Sequence, residues 1–316
     1  MHKGILISVV SPVYGAQNIV DELVRRITAA VSAITPDYEI ILVEDGSPDG
    51  SWKKIEENCQ RDKHVKGIKL SRNFGQHFAI TAGLENAKGE YVVVMDCDLQ
   101  DDPAYIATLY HKALEGFDIV FTLKDQRKHS WWKNFTATLF NRIFNYLVDN
   151  KNWRTQTNVG TYSLLSRKAT DAFCSYNDYQ RHYLMVLRWL GYNSAYVEIE
   201  HKERFEGKSS YSFSKLITHA LNGITSQSDK LLRLNVTVGI ILSLISFASI
   251  VLVFILYLAH GFLSGWASLI TVILFSTGVL LTSIGITGIY IGKTFEQTKN
   301  RPKYLIDQFL NRGQDV

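Results

Sequence analysis

The stretch YVVVMDCDLQDDP, residues 91–103, combines the two features on which the fold and the site depend. It begins as an apolar run rich in valine and ends with four aspartates within seven residues. Carboxylates held this close repel one another, so a folded protein keeps them only where a cation or a helix start relieves the repulsion. The stretch therefore predicts a buried strand that ends at a charged edge.

Four more apolar runs rich in Ile and Val predict strands, at residues 5–10, 38–44, 65–70 and 118–123. The segments between them have helical spacing, as in the series Ile19, Leu23, Val24, Ile27 and Val31. Strands that are apolar on both faces and alternate with helices predict an α/β fold, with a mostly parallel sheet flanked by helices. In such sheets ligands bind at the carboxyl ends of the strands.

Polar loops that contain glycine or proline follow four consecutive predicted strands. They are SPVYG (11–15), EDGSPDGS (44–51), SRNFGQH (71–77) and DCDLQDDP (96–103). One such loop alone is more often an ordinary turn than a site. Four of them on the same edge of a parallel sheet predict a binding site at that edge.

The four aspartates divide into two pairs with different predicted roles. In an extended strand residues i and i+2 point to the same side, so Asp96 and Asp98 can present their carboxylates together. Paired carboxylates suit Mg²⁺ or Mn²⁺, ions that also bind the phosphate oxygens of a substrate. Asp101 and Asp102 precede Pro103 and a helix-like segment, where a carboxylate can cap free amides and proline is favoured in the first turn.

The charge distribution separates a soluble part from a membrane part. The net charge is only +4, without long basic runs, which indicates no nucleic-acid partner. The three cysteines lie far apart, so neither a disulfide framework nor a zinc site is indicated and a reducing cytosol fits. The apolar run at the N-terminus is too short for a signal sequence and is interpreted as the first strand. Residues 234–292, by contrast, contain no Asp, Glu, Lys or Arg.

This uncharged zone contains two predicted membrane spans, residues 236–259 and 266–292, of 24 and 27 residues. At about 1.5 Å per residue, each is long enough to cross a hydrocarbon core of roughly 30 Å. Lysine and arginine flank the outer ends of the spans, and the connecting loop has neither. The positive-inside rule then predicts a multi-pass membrane protein whose soluble domain and termini are all cytosolic.

Two amphipathic stretches precede the spans. Residues 131–150 fit either core packing or contact with the bilayer surface, and residues 210–233 favour an interfacial helix because they lead directly into the uncharged zone. Such helices could also pair two copies of the chain into a homo-oligomer. The predicted organisation is a soluble domain (1–209), an interfacial segment (210–233), a two-helix transmembrane hairpin (234–292) and a basic tail (293–316).

Taken together, PVY, EDGS, SRNFGQH and DCDLQDDP resemble the family 2 glycosyltransferases of the GT-A type, over about residues 5–230. More narrowly, they resemble polyprenyl-phosphate glycosyltransferases, which include dolichyl-phosphate mannose synthases, bactoprenol glucosyltransferases and undecaprenyl-phosphate aminoarabinose transferases. The resemblance implies a hexosyltransferase of the bacterial inner membrane. It would move a sugar from a nucleotide-sugar donor, which is UDP-linked by analogy, to undecaprenyl phosphate on the cytosolic side of the membrane. The reaction would invert the configuration at the anomeric carbon and would require Mg²⁺ or Mn²⁺.

The resemblance also implies roles for single residues on the donor side. The predicted contacts to the nucleotide base and ribose are Pro12, Tyr14 and Asp45. The predicted metal ligands, which also contact the diphosphate, are Asp96 and Asp98, with Gln100 beside them.

On the acceptor side, the segment RFEGKSSYS (204–212) is similar to a family motif expected near the lipid phosphate. It places Arg204, Ser209 and Tyr211 there, and arginine suits the role because its planar guanidinium binds phosphate through two hydrogen bonds. The predicted catalytic residues are Asp98 and Arg204. A further segment, residues 180–191, contributes Arg181, His182 and Arg188, which either line the acceptor groove or are solvated cations on an amphipathic helix.

The chain departs from the family pattern at three places. Gly15 and Ala16 stand where relatives often have Asn-Glu, and Ser210 replaces the lysine of the late motif. Around residues 157–165 the family's acidic residue is absent, with Asn158 and Thr161 near its position. A phosphate monoester has a second pKa of about 6 and is already ionised at neutral pH, so a polyprenyl phosphate needs positioning more than a general base.

Two other functions stay open on the sequence alone. One keeps the chemistry but transfers the sugar to a glycan already attached to a lipid carrier. The other is a catalytically weakened membrane subunit that binds a nucleotide sugar, which the missing acidic residue would favour.

Overall fold

The computed structural model describes residues 4–124, 159–179, 181–200, 230–260 and 265–312. These residues fall into two compact units. The first contains the described residues up to 124, those between 159 and 200, and those from 301 to 312. The second contains residues 230–260 and 265–300.

The described residues of the first unit form an eight-stranded sheet in the order β7-β5-β6-β4-β1-β2-β3-β8. Its strands are β1 (Ile7–Val13), β2 (Tyr38–Glu44), β3 (Val65–Leu70), β4 (Tyr91–Val94), β5 (Ile119–Lys124), β6 (Val159–Ser166), β7 (Ser194–Ile199) and β8 (Ile306–Leu310). Strands β1 to β4 pair in parallel, as do β5 and β7, whereas β6 and β8 run antiparallel to their neighbours. The mostly parallel sheet predicted from the sequence is confirmed.

Helices cover both faces of this sheet. They are α1 (Val20–Ser32), α2 (Ser51–Arg61), α3 (Gln76–Asn86), α4 (Tyr105–Leu114), α5 (Arg167–Ser175) and α6 (Tyr183–Leu190). Alternate residues of β2 face opposite sides: Ile40 belongs to the same apolar cluster as Leu23 of α1, and Ile41 to the same cluster as Ile80 of α3. All four are fully buried, and burying each side chain contributes about 1.5–3 kcal/mol.

The C-terminal segment returns to the sheet. Strand β8 pairs with β3 at the edge, and the Leu305 carbonyl accepts a hydrogen bond of 2.9 Å from the Ser71 amide. The Asn311 side chain donates to the carbonyls of Cys59 and Val65, and the Tyr304 hydroxyl donates to Glu85. The region predicted as a basic tail therefore also supplies a strand, which the sequence analysis did not anticipate.

The second unit contains two long helices, α7 (Lys230–His260) and α8 (Trp266–Thr298). Both are long and apolar enough to cross a membrane, with mean hydropathies of 2.8 and 2.2 over the candidate spans. Large apolar side chains such as Phe247 remain mostly exposed on them. The two helices contact each other through Asn235 and Ser283, whose side chains hydrogen-bond at 3.0 Å. The predicted spans lie inside these helices, whereas the stretch 131–150 and most of the segment 210–233 lie outside the described residues.

A buried ion pair joins the beginnings of three strands. Lys66 of β3 pairs with Glu39 of β2, and the Ser8 hydroxyl of β1 donates to the same carboxylate at 2.6 Å. The Lys88 amide adds a further hydrogen bond of 2.7 Å. Glu39 is 1% exposed and Lys66 is 7% exposed, so each charge depends on the other for compensation.

We expect Lys66→Met to lower the free energy of unfolding by about 3–5 kcal/mol, because it leaves the buried Glu39 carboxylate without its cation. Urea unfolding of the full chain in detergent, followed by circular dichroism, measures the change.

The matched control is Lys63→Met, the same substitution at an exposed position before β3, which should change the free energy of unfolding by less than about 0.5 kcal/mol. Adding Glu39→Gln to Lys66→Met removes the buried charge and should restore part of the lost stability. If Lys66→Met alone is as stable as the unchanged chain, the pair does not have this role.

Candidate active site

The carboxyl ends of β1, β2 and β4 are joined by backbone hydrogen bonds. The Asp45 amide donates to the Val13 carbonyl and the Met95 amide to the Val10 carbonyl, each at 3.0 Å. Residues 45, 71–77 and 96–98 thus follow neighbouring strands of one sheet, whose order from β4 to β3 is β4-β1-β2-β3. The four loops singled out in the sequence meet at one edge, as that order requires.

The loops after β1 and β2 are also tied to each other. The amides of Gly15, Ala16 and Gln17 donate to side chains of the second loop, at 3.2, 2.9 and 3.1 Å. The acceptors in that loop are Ser47, Ser51 and Asp49. Gly15 and Ala16 therefore contribute their backbone amides to this contact.

Of the residues predicted to contact the base and ribose, Pro12 is buried within β1 and Tyr14 is 55% exposed. Tyr14 follows β1 directly, so its ring is available at the edge of the sheet. Asp45 follows β2 but is buried, with 3% exposure. The nucleotide contacts of these three residues stay a prediction.

The Asp45 carboxylate binds the loop that follows β3. Its two oxygens accept hydrogen bonds from the amides of Phe74 and Gly75, at 2.7 and 2.9 Å. The Asn73 side chain donates to the Asp45 carbonyl at 2.9 Å. Burial raises the pKa of Asp45, although the two amides favour its ionised form. Asp45 therefore fixes the backbone of residues 73–75.

Gly46 allows this loop to approach closely. Its φ is +67°, and a Cβ atom at this position would lie 2.3 Å from the Asn73 nitrogen and 2.7 Å from the Arg72 carbonyl carbon. Both are backbone atoms, which cannot move aside as the end of a flexible side chain can. The contact between the two loops therefore requires glycine at position 46.

Asp96 and Asp98 lie at the edge, but not on a strand. The sequence analysis continued the strand to Asp96, whereas β4 ends at Val94 and residues 97–98 form a turn. Leu99, with φ of 55°, then bends the chain in a left-handed backbone conformation. The alternation of strand side chains therefore does not apply to these two carboxylates.

Each of these aspartates has a partner at the edge. The Gln76 side-chain amide donates to Asp96 Oδ1 at 2.7 Å, and the Gln100 backbone amide donates to Asp98 Oδ1 at 3.1 Å. Both aspartates are partly exposed. Between them, burial raises the pKa of the Cys97 thiol to about 12, so this sulfur stays protonated at neutral pH.

The second aspartate pair leads into α4 as expected, with a shift in the helix start. Asp102 Oδ1 accepts from the Ala104 amide at 3.1 Å. The helix begins at Tyr105, so Pro103 lies before its first turn instead of within it. Asp101 is 1% exposed.

Two histidines, His77 of the SRNFGQH loop and His182 of the segment 180–191, come together where α3 and α6 begin. The rings of His77 and His182 lie 4.2 Å apart, and the Tyr183 amide donates to His77 Nδ1 at 3.4 Å. An accepting Nδ1 places the His77 proton on Nε2. His77 follows Gln76 directly in α3, so the first turn of this helix contacts both Asp96 and the start of α6.

Arg181 has a different role from either one expected of it. It is 3% exposed, and its guanidinium donates to carbonyls of Phe173, Cys174 and Asp178 at 3.3–3.5 Å. It therefore supports the end of α5 and neither lines a groove nor is solvated. Of the other predicted residues, Thr161 lies in β6, whereas Asn158, Arg204, Ser209 and Tyr211 lie outside the described residues.

We expect Gly46→Ala to displace residues 72–75 and to break the hydrogen bonds of Asp45, because the added methyl group overlaps two backbone atoms. The amides of Phe74 and Gly75 should lose protection in hydrogen exchange measured by mass spectrometry.

The control for this change is Gly15→Ala. Gly15 has a similar φ of +62°, but no atom lies within 4 Å of the place that the added methyl group would take, so it carries only the left-handed strain of about 1–2 kcal/mol. Unchanged protection of residues 74–75 in Gly46→Ala would contradict the packing described here.

Comparison with known proteins places this site in a family. The chain matches "Glycosyl transferase family 2" over residues 8–173. It is 34% identical over 302 residues to an uncharacterized glycosyltransferase of Synechocystis sp., covering 95% of this chain and 94% of that one. It is 32% identical over 323 residues to the undecaprenyl-phosphate 4-deoxy-4-formamido-L-arabinose transferase of Enterobacter sp., covering 99% and 95%.

A solved structure shows the same fold. It is the glucosyl-3-phosphoglycerate synthase of Mycobacterium tuberculosis in complex with Mn²⁺, UDP and phosphoglyceric acid, with a TM-score of 0.53 and 17% identity. The match covers 70% of this chain and 77% of that chain. The fold is therefore of the predicted GT-A type, and with the sequence matches it leads to one conclusion: the chain belongs to glycosyl transferase family 2 and is a glycosyltransferase.

Proposed function

We propose that this glycosyltransferase moves a sugar, with inversion at the anomeric carbon, from a nucleotide-sugar donor to a polyprenyl phosphate at the cytosolic face of a bacterial inner membrane. The observation that carries the proposal is the likeness to a transferase named for undecaprenyl phosphate, which extends over 99% of this chain. That likeness takes in the two apolar helices as well as the sheet unit.

The donor would bind across the ends of β1 and β2. Tyr14 is exposed there and can pack against a base, and the GT-A neighbour holds UDP, which favours a uridine nucleotide. Pro12 and Asp45 would shape the same place from within the sheet. Asp45 would act through the loop that it fixes as much as through any direct contact.

The donor set at Asp96 and Asp98 fits a divalent cation. Both are partly exposed carboxylates, the hard oxygen ligands that Mg²⁺ and Mn²⁺ prefer. Across the described part of the chain, no group of three or more His, Cys, Asp and Glu side chains could hold a metal ion. A cation held by two carboxylates would complete its coordination with water and diphosphate oxygens, and its charge would stabilise the leaving diphosphate.

The proposed acceptor chemistry would make an acidic residue near Asn158 dispensable. A sugar hydroxyl must lose a proton as it attacks, whereas a polyprenyl phosphate attacks with an oxygen that is already ionised. The requirement is then to hold the phosphate in line with the anomeric carbon. We assign that task to Arg204, with Ser209 and Tyr211, because these residues follow β7 and precede the first apolar helix in the chain.

The two apolar helices would anchor the enzyme beside its lipid substrate. Lysine and arginine occur at the start of α7 and after α8, and by the positive-inside rule this charge distribution supports a cytosolic location of both chain ends. A cytosolic sheet unit would then meet nucleotide sugars on the side where the polyprenyl phosphate is exposed.

The test of this function is transfer of radiolabelled sugar from a panel of UDP- and GDP-linked sugars to undecaprenyl phosphate, with the full chain in detergent and Mn²⁺. We expect one donor to give a lipid-linked product that is lost when a chelator is added. If product forms with a lipid-linked glycan as the acceptor but not with undecaprenyl phosphate, the acceptor of this enzyme is the lipid-linked glycan. Binding of a donor without any turnover would instead support the binding-subunit alternative.

We expect Asp98→Asn to reduce transfer by about 100-fold or more, because loss of one ligand charge weakens the cation that stabilises the leaving diphosphate, an effect of several kcal/mol. The initial rate of lipid-linked product formation measures it, and circular dichroism confirms that the fold is kept.

The control for this variant is Asp37→Asn. Asp37 is an exposed carboxylate just before β2, at the opposite edge of the sheet, and the substitution should leave the rate within about twofold, as expected for a surface change far from the site. Full activity of Asp98→Asn would remove the metal role from this residue.

A further inference from the structure

The loop after β3 ends at Gln76, whose side chain contacts Asp96, one of the two proposed metal ligands. Gln76, the first residue of α3, donates its side-chain amide to Asp96 Oδ1 at 2.7 Å. Gln76 is exposed, so packing against neighbours does not account for its position. The contact joins two strand ends that are not adjacent in the sheet, since β1 and β2 lie between β3 and β4.

The other end of the same loop is held by residues 45 and 46. Both oxygens of the Asp45 carboxylate accept amides of the loop, and the Asp45 carbonyl accepts the Asn73 side chain. Gly46 lies directly against the backbone of residues 72–73. Gly75 then turns the chain into α3 with a φ of +101°. The residues just before Gln76 are thus fixed by four contacts, all from the end of β2.

A fixed hydrogen-bond donor at Asp96 limits the rotation of this partly exposed carboxylate. Groups that hydrogen-bond to a metal ligand orient it, and their loss typically weakens metal binding by about 10–100-fold. The amide of glutamine is neutral, so it can hold the carboxylate without competing with a cation for the negative charge, as a lysine would.

We propose that Gln76 is a positioning residue that orients Asp96 for the divalent cation, and that Asp45 and Gly46 brace the loop that carries it. The inference rests on the proposed function, because it requires a cation at Asp96 and Asp98. It gives Asp45 a task in metal binding that is separate from any contact with the nucleotide.

The test compares Gln76→Leu with the unchanged full chain in detergent. Free Mn²⁺ is measured by electron paramagnetic resonance during titration with Mn²⁺ at saturating UDP. We expect Gln76→Leu to raise the dissociation constant for Mn²⁺ by about 10–100-fold. UDP binding without metal, measured by calorimetry, should not change. The matched control is Gln60→Leu, the same substitution on the exposed surface of α2, which should leave the Mn²⁺ affinity as it is.

A double-mutant cycle tests whether Asp45 acts on metal binding through Gln76. Asp45→Asn replaces one of the two acceptor oxygens by an amide group, which should loosen residues 74–75 and also weaken Mn²⁺ binding. If Asp45 acts through Gln76, the two substitutions together should weaken Mn²⁺ binding by less than the product of their separate effects. If the effects of the two substitutions on the dissociation constant for Mn²⁺ multiply, the two residues act independently and Asp45 does not act through Gln76.

The outcomes separate this inference from the proposed function. In one outcome the unchanged chain binds Mn²⁺, Asp98→Asn does not, and Gln76→Leu binds Mn²⁺ as tightly as the unchanged chain. The positioning role of Gln76 is then wrong, whereas the metal site at Asp96 and Asp98 is supported. If the unchanged chain with UDP does not bind Mn²⁺ at all, the metal site fails, and both this inference and the metal dependence of the proposed function fail with it.

Discussion

The hydrogen bonds from the amides of Phe74 and Gly75 to the buried Asp45 carboxylate are the interaction on which the site depends. Removing a carboxylate from water is costly, and burial raises the pKa of this group. The two backbone donors offset part of that cost, and in return the carboxylate gives an otherwise irregular loop one conformation. The start of α3, and with it Gln76 and His77, follows from where that loop is held.

The edge formed by the carboxyl ends of the strands thus combines regular strands with irregular turns. The strands beneath it are buried on both faces and paired along their lengths, which makes them rigid. The side chains that would meet substrate lie on turns: Tyr14 after β1, and Asp96 and Asp98 after β4. Their positions are set by hydrogen bonds between loops. A substitution in one loop can therefore change the chemistry at another without altering the sheet.

The sequence predicted the sheet well and the site only in part, for physical reasons that differ between residues. β2 and β3 have the predicted bounds because their apolar residues are buried on both faces of the sheet, with Ile40 and Val65 in one apolar cluster and Ile41 and Ile68 in the other. Asp96 and Asp98 were expected on an extended strand, but they lie after its end, at a turn followed by a positive φ at Leu99, which no spacing rule indicates. Gln76 was missed because its contact requires the folded loop. β8 was missed because an exposed edge strand has no apolar periodicity and its partner, β3, is far away in sequence.

The return of the chain to β8 has a consequence for any soluble version of the enzyme. The apolar hairpin is an insertion in the sequence of the sheet unit, because residues on both sides of it build the same sheet. A chain cut before residue 230 would lose β8 as well as the hairpin, and β3 would become an open edge with unpaired amides and carbonyls. Such edges pair with other chains and promote aggregation. Removal of the apolar helices would thus improve solubility only if a linker replaced them and the last strand were kept.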